Sequence, residues 1–463
     1  MSTRPADITR TYTDKAGPRS MRSWFLARTG DPVAKLLEPG FRGDAYALYE
    51  RMRSRGPVHR SRTGMLAVLS YDHCSQVLRD SRFSKCEFSA WPAGIRTSTP
   101  QAAVDSPGAS RVQELDRAYA VAARLLRPVL HQFATRIDAT AHDLLRRHAD
   151  ADSLDLINDF AFPLAVACLS ELLDIPAAYS PRFAEICDVI GKPIHGTPSR
   201  STAEAAHDAH EDLAAMVIRL EHERRHSPGS DLISRLAAPR DADKTDAELR
   251  SLLEYVHRHG DRQDEQETGV AGRPDIPSGT LNLEEIAQVC STLVASGLDT
   301  AACLIGNAVA ALAAHPGQWQ TLRSTPQLAG KVVEETLRFN PPHQFILCTP
   351  TARVQMAGHT LSPGNGILVM LAAAQRDSNR FPEPARFDLT RSPQPSPLTA
   401  NGSMQLAVSL ARLTGEAALW SLANRLPQLH PAGQAVRRPG GAVSGFTHLP
   451  FHTSTTAPRP WSL

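Results

Sequence analysis

Close to its C-terminus the chain reads LTANGSMQLAVSLARLTGE, residues 398–416. From Leu410 to Trp420, apolar residues recur at the spacing of one face of an amphipathic helix. The first half of the stretch carries no such repeat, and its polar and small side chains predict a short irregular loop. The stretch therefore predicts a loop that leads directly into a helix beginning near Ser409.

Two further motifs lie upstream of this loop. Glu335 and Arg338 are spaced i, i+3 in a predicted helix over residues 326–339, so their side chains can pair on one helical face. Further on, the chain reads FPEPARFDLTR over residues 381–391. An i, i+3 pair alone is a weak signal, and it becomes specific through the order of helix, Pro341-Pro342 and loop.

The longest predicted helix runs from Asn282 to Leu312 and is apolar on nearly all sides. Asn282 and Glu285 have the spacing of a capping box at its start. At 1.5 Å per residue such a helix is roughly 45 Å long, and an apolar helix of this length belongs in the middle of a protein. It contains the sequence SGLDT at residues 296–300.

In their order and spacing these segments resemble those of haem-thiolate monooxygenases, the cytochromes P450. The resemblance spans roughly residues 31–451 and implies a mainly α, triangular cytochrome P450-like fold with a small β region. We expect this domain over residues 41–455, preceded by a basic arm over residues 1–40 and followed by a tail over residues 456–463. The charged stretch at residues 240–280 is predicted to be a mobile insertion.

Two structural motifs of the family have counterparts here. The resemblance assigns a structural cluster to Glu335, Arg338 and Arg386, in which guanidinium groups bond a carboxylate and backbone carbonyls together. Asp299 and Thr300 stand where the family carries an acid and an alcohol that deliver protons to iron-bound dioxygen. We interpret these two residues as remnants, with Thr300 bonded back to the carbonyl four residues earlier.

The positions that hold haem in the family carry other residues here. With the loop anchored on Leu-Ala-Arg at residues 410–412, Gln405 takes the place of the haem cysteine, and an amide is not a thiolate. Cys348 takes the place of an arginine that binds a haem propionate, and residues 120–133 lack the second propionate-binding pair. The remaining marker residues of the loop are replaced by Leu398, Thr399, Asn401, Ser403 and Ala407. The resemblance therefore implies that no haem is bound, and no other cofactor or metal is predicted.

This chain carries the sequence RTGDPVAKLL at residues 28–37. Proteins of this fold that lack the haem cysteine and begin in a similar way resemble auxiliary proteins of actinomycete natural-product pathways. The resemblance implies a non-catalytic pseudoenzyme that forms a hetero-oligomer with a glycosyltransferase. Such a transferase attaches deoxysugars to macrolide or anthracycline antibiotics. The alternatives are an enzyme with unusual haem ligation or haem-free chemistry, and a decayed relic. Orderly periodicities over most of the chain argue against the relic.

Composition indicates a large folded protein without a strong electrostatic target. The 463 residues are 42% hydrophobic and carry a formal net charge of +2, which favours neither nucleic acid nor a membrane surface. No membrane span or signal peptide is predicted, so the expected location is cytoplasmic.

The seven cysteines form no CxxC pair and are predicted to be buried, reduced thiols. Residues 1–62 hold 13 Lys+Arg against 6 Asp+Glu. This basic segment is predicted to be either a solvated flexible arm or an electrostatic docking surface. For the second alternative, Trp24 and Phe25 are the candidate partner-binding residues.

Overall fold

The computed structural model describes residues 26–38, 41, 43–85, 108–148, 151–191, 200–237, 281–392, 402–438 and 442–453. These residues form the mainly α fold with a small β region that the sequence predicts. The predicted insertion at residues 240–280 and the predicted tail at residues 456–463 lie outside the described residues. Trp24 and Phe25 lie outside them as well.

Helices make up most of the described chain. They are α1 (Pro32–Leu36), α2 (Ala45–Arg53), α3 (Tyr71–Arg79), α4 (Gly108–Arg147), α5 (Phe162–Leu172), α6 (Ser180–Gly191), α7 (Arg200–His226), α8 (Leu232–Ala237), α9 (Leu283–Ala314), α10 (Pro316–Ser324), α11 (Ala329–Phe339), α12 (Leu371–Ala374) and α13 (Gly402–Arg425). A π-helical turn at Leu156–Ala161 precedes α5, and a 3-10 turn at Pro326–Leu328 precedes α11.

The β region consists of short strands in one larger and three small sheets. The strands are β1 (Val58–Arg60), β2 (Leu66–Val68), β3 (Phe83–Lys85), β4 (Ser153–Asp155), β5 (Ile346–Pro350), β6 (Val354–Met356), β7 (His359–Leu361), β8 (Ile367–Val369), β9 (Val436–Arg437), β10 (Phe446–His448) and β11 (Pro450–His452). The larger sheet has the order β1-β2-β8-β5-β3, in which only β2 and β8 run parallel. Each small sheet is an antiparallel pair: β4 with β11, β6 with β7, and β9 with β10.

Helix α9 lies in the centre of the helical core. The Asn282 side chain accepts a hydrogen bond from the backbone N–H of Glu285, and the Glu285 carboxylate accepts one from Asn282 N–H, at 2.9 and 2.8 Å. The predicted capping box is therefore confirmed. By length and apolar character alone α9 could cross a membrane, but 83% of its most apolar window is buried inside the protein. It is the core helix that the sequence indicated, and α4, α11 and α13 pack against it.

A second, smaller core lies between the N-terminal helices and the larger sheet. Val33 and Leu36 of α1 are buried there together with Tyr49 of α2. Asp31 caps α1 through Ala34 N–H at 3.0 Å and also accepts a hydrogen bond from the Ser61 hydroxyl at 2.9 Å. The basic arm predicted over residues 1–40 therefore does not extend through residues 26–38, which pack on the domain. Their apolar side chains and the Asp31 cap explain this difference.

The cysteine prediction is confirmed for the described residues. Six of the seven cysteines lie in the described ranges, and all six are buried and unbridged. Cys86 lies outside these ranges.

Candidate functional site

Helix α13 begins at Gly402, well before the Ser409 that the sequence indicated. The predicted loop is therefore wrong from Gly402 onward. The run from Ser403 to Leu410 consists largely of good helix formers, and no glycine follows Gly402 until Gly415. Leu398, Thr399 and Asn401 lie outside the described residues.

The residue at the predicted cysteine position thus sits on a helix. Gln405 and Ser403 are half-buried, while Met404 is 5% exposed and Leu406 and Ala407 are fully buried. The first turns of α13 consequently place apolar side chains in the core on either side of Gln405. In this geometry the segment packs as a helix of the protein core.

Helices α9 and α13 touch directly at Gly297. A methyl group added at Gly297 would lie 2.6 Å from Cδ2 of Leu410 and 3.7 Å from Cδ1 of Leu293. A side chain at position 297 would require Leu410 to move, so the two helices lie close together here. Gly297 belongs to the SGLDT segment and Leu410 to the LAR segment, and the resemblance places both segments next to the haem iron.

Thr300 forms two hydrogen bonds in the interior of the protein. Its hydroxyl donates to the carbonyl oxygen of Ser296 at 2.6 Å, which confirms the predicted bond to the preceding turn. The same hydroxyl oxygen lies 2.8 Å from Nε2 of His343, so the imidazole can donate to it. His343 is 2% exposed, and burial lowers the pKa of its imidazole to about 4. The imidazole is therefore neutral at pH 7.

Asp299 is paired with Arg438, which follows β9. The Asp299 carboxylate accepts from Nη1 of Arg438, and the same nitrogen lies 3.2 Å from Sγ of Cys303 one turn along α9. Burial lowers the pKa of the Arg438 guanidinium to about 10, so the group remains a cation at pH 7. Its charge neutralises the carboxylate that the resemblance would use for proton delivery.

The segment at residues 442–446 covers the same part of α9. Ala442 O accepts from Gln344 N–H at 2.9 Å, and Ser444 N–H donates to Pro342 O at 2.7 Å. The amide of Asn307 on α9 donates to Ser444 O at 3.0 Å. At Gly445 the backbone approaches Cys303 so closely that an added methyl group would lie 3.0 Å from Cys303 Cβ. We call residues 442–446 the covering segment.

Glu335 and Arg338 form the centre of a buried ionic cluster. Arg338 Nε and Nη2 donate to the two carboxylate oxygens of Glu335 at 2.7 and 2.8 Å. The third member is Arg391, whose Nε lies 3.3 Å from Glu335 Oε1 and whose Nη groups donate to backbone carbonyls of the loop. Arg386, predicted for that place, contributes its backbone oxygen to Arg338 Nη2 at 2.9 Å.

The prediction of Arg386 is therefore wrong as to its side chain. That side chain is 57% exposed and pairs with Glu383 at 3.3 Å, because the turn of the loop directs it to solvent. Glu383 has a positive φ of 46°, which marks this turn.

Cys348, the residue predicted at a propionate position, lies in the middle of the larger sheet. It pairs in register with Lys85 of β3 and Ile367 of β8, and it is fully buried. Because Cys348 is buried among strands, its side chain packs in the interior of the sheet.

Taken together, these residues do not fit a haem thiolate. The printed sequence has no cysteine after Cys348, and Gln405 lies on a helix. Leu410 packs against Gly297, so α13 contacts α9 directly between these two segments. Above this contact, the Thr300–His343 bond and the covering segment occupy the space next to α9.

Comparison with known proteins agrees with the fold. The chain is 30% identical to cytochrome P450 107B1 of Saccharopolyspora erythraea over 428 residues, which are 87% of this chain and 93% of that protein. The chain belongs to the cytochrome P450 family. The sequence pattern of the family, described as cytochrome P450, matches residues 272–394, which hold α9, α11 and the loop at residues 381–391.

Two relatives from Streptomyces have names that do not describe a cytochrome P450. Protein AknT of Streptomyces galilaeus is 29% identical over 454 residues, 94% of this chain and 93% of that protein. Protein DesVIII of Streptomyces venezuelae is 29% identical over 422 residues, 89% of this chain and 86% of that protein.

Solved structures of similar chains show the same fold. CalO2 is 26% identical with a TM-score of 0.67, covering 89% of this chain and 97% of that one. The cytochrome P450BioI in complex with an acyl carrier protein is 25% identical with a TM-score of 0.68, covering 88% and 98%.

Sequence reasoning missed three residues of the interior. Arg438 and His343 contact Asp299 and Thr300 across 139 and 43 residues of sequence. Arg391 was part of the quoted loop, but nothing in the pattern ranks it above Arg386. The position of Arg438 could have indicated its role. It lies next to strand-like residues near the C-terminus, and an arginine that is buried beside a strand needs a partner for its charge.

Proposed function

We propose that this protein is a non-catalytic auxiliary protein of the cytochrome P450 family that binds and activates or stabilises a deoxysugar glycosyltransferase in antibiotic biosynthesis. The proposal is carried by the direct contact between Gly297 and Leu410, which joins the two segments that adjoin the haem iron in the resemblance. A protein of this size without a reacting centre acts through its surface. We propose that it does so in the cytoplasm, as a hetero-oligomer with the transferase.

The relatives support this class of function. AknT and DesVIII match this chain over most of both lengths, and both come from Streptomyces. The resemblance stated for RTGDPVAKLL points to the same auxiliary class. Other relatives of similar identity are hydroxylases and monooxygenases by name, so family membership alone does not decide between partner and enzyme.

An enzyme is the second candidate, either with unusual haem ligation or with haem-free chemistry. The observation in its favour is that Asp299 and Thr300 keep the residue types of the family's proton-delivery segment. Against it, both side chains bond protein groups, Arg438 and His343. Each side chain would have to leave its partner before it could serve a substrate.

The test is glycosyl transfer by the transferase encoded in the same gene cluster, purified with and without this protein. If the protein stabilises its partner, binding only to the folded transferase adds about 2.7 kcal/mol at a hundredfold excess over Kd. We expect the transferase alone to be poorly soluble or weakly active, and both properties to recover on co-expression. A transferase that is fully active alone and shows no association would overturn the proposal. A matched control replaces this protein with CalO2, which shares the fold.

A further inference from the structure

Strand β1 lies at one edge of the larger sheet and pairs with β2 on one side only. The carbonyl oxygen of Pro57 and the N–H of Ser61, which flank β1, bond to the chain on either side of β2 at 2.9 and 3.0 Å. In an antiparallel pair such bonds fall on every second residue, so the N–H and C=O groups of Val58 and Arg60 point away from β2. In the part of the chain that the structure describes, no other segment bonds to these outward groups.

Exposed arginines follow the same edge. Arg60 lies in the strand itself, Arg62 lies two residues after it, and Arg55 lies in the turn before it. The chain between Arg55 and Arg62 can span at most about 25 Å, so the three guanidinium groups belong to one patch. Arg51 is exposed on α2, which packs against β1. We call β1 together with Arg51, Arg55, Arg60 and Arg62 the basic edge.

The basic edge is held in place by the folded segment that precedes it. The backbone N–H of Arg62 donates to Oδ2 of Asp31 at 2.9 Å, and the hydroxyl of Ser61 donates to Oδ1 of the same carboxylate at 2.9 Å. Nη2 of Arg62 donates to the carbonyl oxygen and the hydroxyl of Thr29 at 3.0 and 2.8 Å. The arginines are therefore carried on folded elements, and less conformational freedom is lost when a partner binds.

Carboxylates of the described chain leave most of this positive charge unbalanced. Glu50 on α2 pairs with Arg53 at 2.8 Å. The side chain of Asp31 is 3% exposed, and its nearest oxygen lies 3.9 Å from Nε of Arg62. Among the side chains that the structure describes, the other three arginines of the basic edge form no ion pair. Positive charge and unpaired main-chain groups thus occur together at one strand.

We propose that the basic edge is the docking site for the glycosyltransferase, which adds an extended acidic segment to β1. The main chain of that segment bonds to the outward groups of Val58 and Arg60, as in other complexes formed by strand addition. Its aspartate or glutamate side chains pair with the arginines of the basic edge. The inference rests on the proposed function, because that function requires a protein partner.

The chemistry of the edge favours a polypeptide over a nucleic acid. The outward groups of β1 include both donors and acceptors, and a polypeptide main chain offers both in alternation. Phosphate groups only accept hydrogen bonds, so they would leave the outward carbonyl oxygens without a donor. The arginines complement an acidic segment and repel a basic one.

A second copy of this chain is a poorer occupant of the basic edge. A twofold contact between two β1 strands brings the same residues of both copies together. Arginines would then face arginines, and like charges opposed across a strand pair cost free energy. The basic edge therefore favours a different protein over self-association.

The experiment measures binding of the transferase from the same gene cluster to immobilised full-length protein at low and at high salt. The edge variant combines Arg55→Glu with Arg60→Glu. The control combines Arg147→Glu at the end of α4 with Arg353→Glu between β5 and β6, two exposed arginines that also form no ion pair among the described side chains. Both variants change the net charge by the same amount, and melting temperatures verify that each is folded.

We expect the Kd of the edge variant to rise at least about thirtyfold at low salt, mainly through slower association. The difference from the wild type should shrink at high salt, because exposed charges are screened. The control should bind within about threefold of the wild type, since its charges lie away from the contact.

A second pair of variants tests the main-chain bonds. Arg60→Ala and Arg60→Pro both remove the guanidinium group, and proline also removes the outward N–H, a position that an edge strand tolerates. We expect Arg60→Pro to bind about fivefold more weakly than Arg60→Ala, which corresponds to the loss of one hydrogen bond. Equal binding by these two folded variants would rule out strand addition.

The outcomes separate this inference from the proposed function. If the wild type binds and the edge variant binds as tightly as the control, the basic edge is not the docking site, while the proposed function stands. If the wild type does not bind the transferase, both proposals fall. Charged side chains also protect edge strands from pairing with other copies. If Arg55→Ala with Arg60→Ala binds normally but self-associates in light scattering, the arginines serve that protection and the inference is wrong.

Discussion

Single residues that would serve a haem enzyme at this site are bonded to protein groups instead. Thr300 bonds to Ser296 and His343, and Asp299 pairs with Arg438. Each bond satisfies a polar group that would otherwise be buried without a partner, which is costly. The residue types that deliver protons in the resemblance are therefore bonded to protein groups here.

The ionic cluster gives a prediction that distinguishes two arginines of one loop. Arg391 is 16% exposed and lies against the buried Glu335, whereas Arg386 is 57% exposed. We expect Arg391→Ala to lower the free energy of unfolding by about 3 kcal/mol, because it leaves buried polar groups without a partner. Arg386→Ala should cost at most about 1 kcal/mol, as for an exposed pair. Urea unfolding of both variants tests this, and equal losses would contradict the assignment of Arg391.

His343 gives a prediction for pH dependence. Burial lowers its folded pKa to about 4 from 6.5 in the unfolded chain. Between these values the unfolded chain binds a proton that the folded protein does not, so the free energy of unfolding falls as pH falls through this window. The loss amounts to about 3 kcal/mol and is complete below about pH 4.

The measurement compares urea unfolding at pH 7 and pH 4.5 for wild type and His343→Gln. Glutamine can keep a hydrogen bond to Thr300 and does not titrate. The variant should therefore lose less stability than the wild type between the two pH values. An identical loss in both proteins would show that His343 is not the titrating group.

At the level of elements, the decisive change is the early start of α13. Gly402 begins a helix whose first turns bury Met404 and Leu406, and the helix then contacts α9 at Gly297. A glycine-rich loop could stand away from α9, whereas a helix with buried apolar residues packs against it. The covering segment closes the other side of α9.

The packing of the covering segment on α9 can be tested by a double-mutant cycle. In Gly445→Ala the new methyl group meets Cys303 and lies 3.4 Å from Cδ of Arg438, so we expect a loss of about 1–3 kcal/mol in the free energy of unfolding. Cys303→Ala removes the sulfur from that contact. The double variant should therefore be more stable than the sum of the single losses predicts, by at least about 0.5 kcal/mol. Additive losses would mean that the two segments do not pack in this way.

At the scale of the whole molecule, the sequence predicts those features that depend on residues close to one another in the chain. The capping box of Asn282 and Glu285 depends on neighbouring residues, and it is confirmed. The pairing of Asp299 with Arg438 depends on how distant segments meet, and no local pattern encodes it. The polar and small side chains before Ser409 favour a loop, but the helix-forming residues after Gly402 extend α13 through this stretch.

The most direct measurement is the absorbance spectrum of this protein after expression with excess haem, recorded oxidised and then reduced under carbon monoxide. Wild type and Gln405→Cys are compared, because the variant restores the one sulfur that a haem thiolate requires. We expect neither protein to show a stoichiometric haem-thiolate Soret band, since α13 packs on α9 where the haem would lie. Such a band in the wild type would contradict the auxiliary role without haem, and a band in Gln405→Cys alone would show that the centre of the fold is still open.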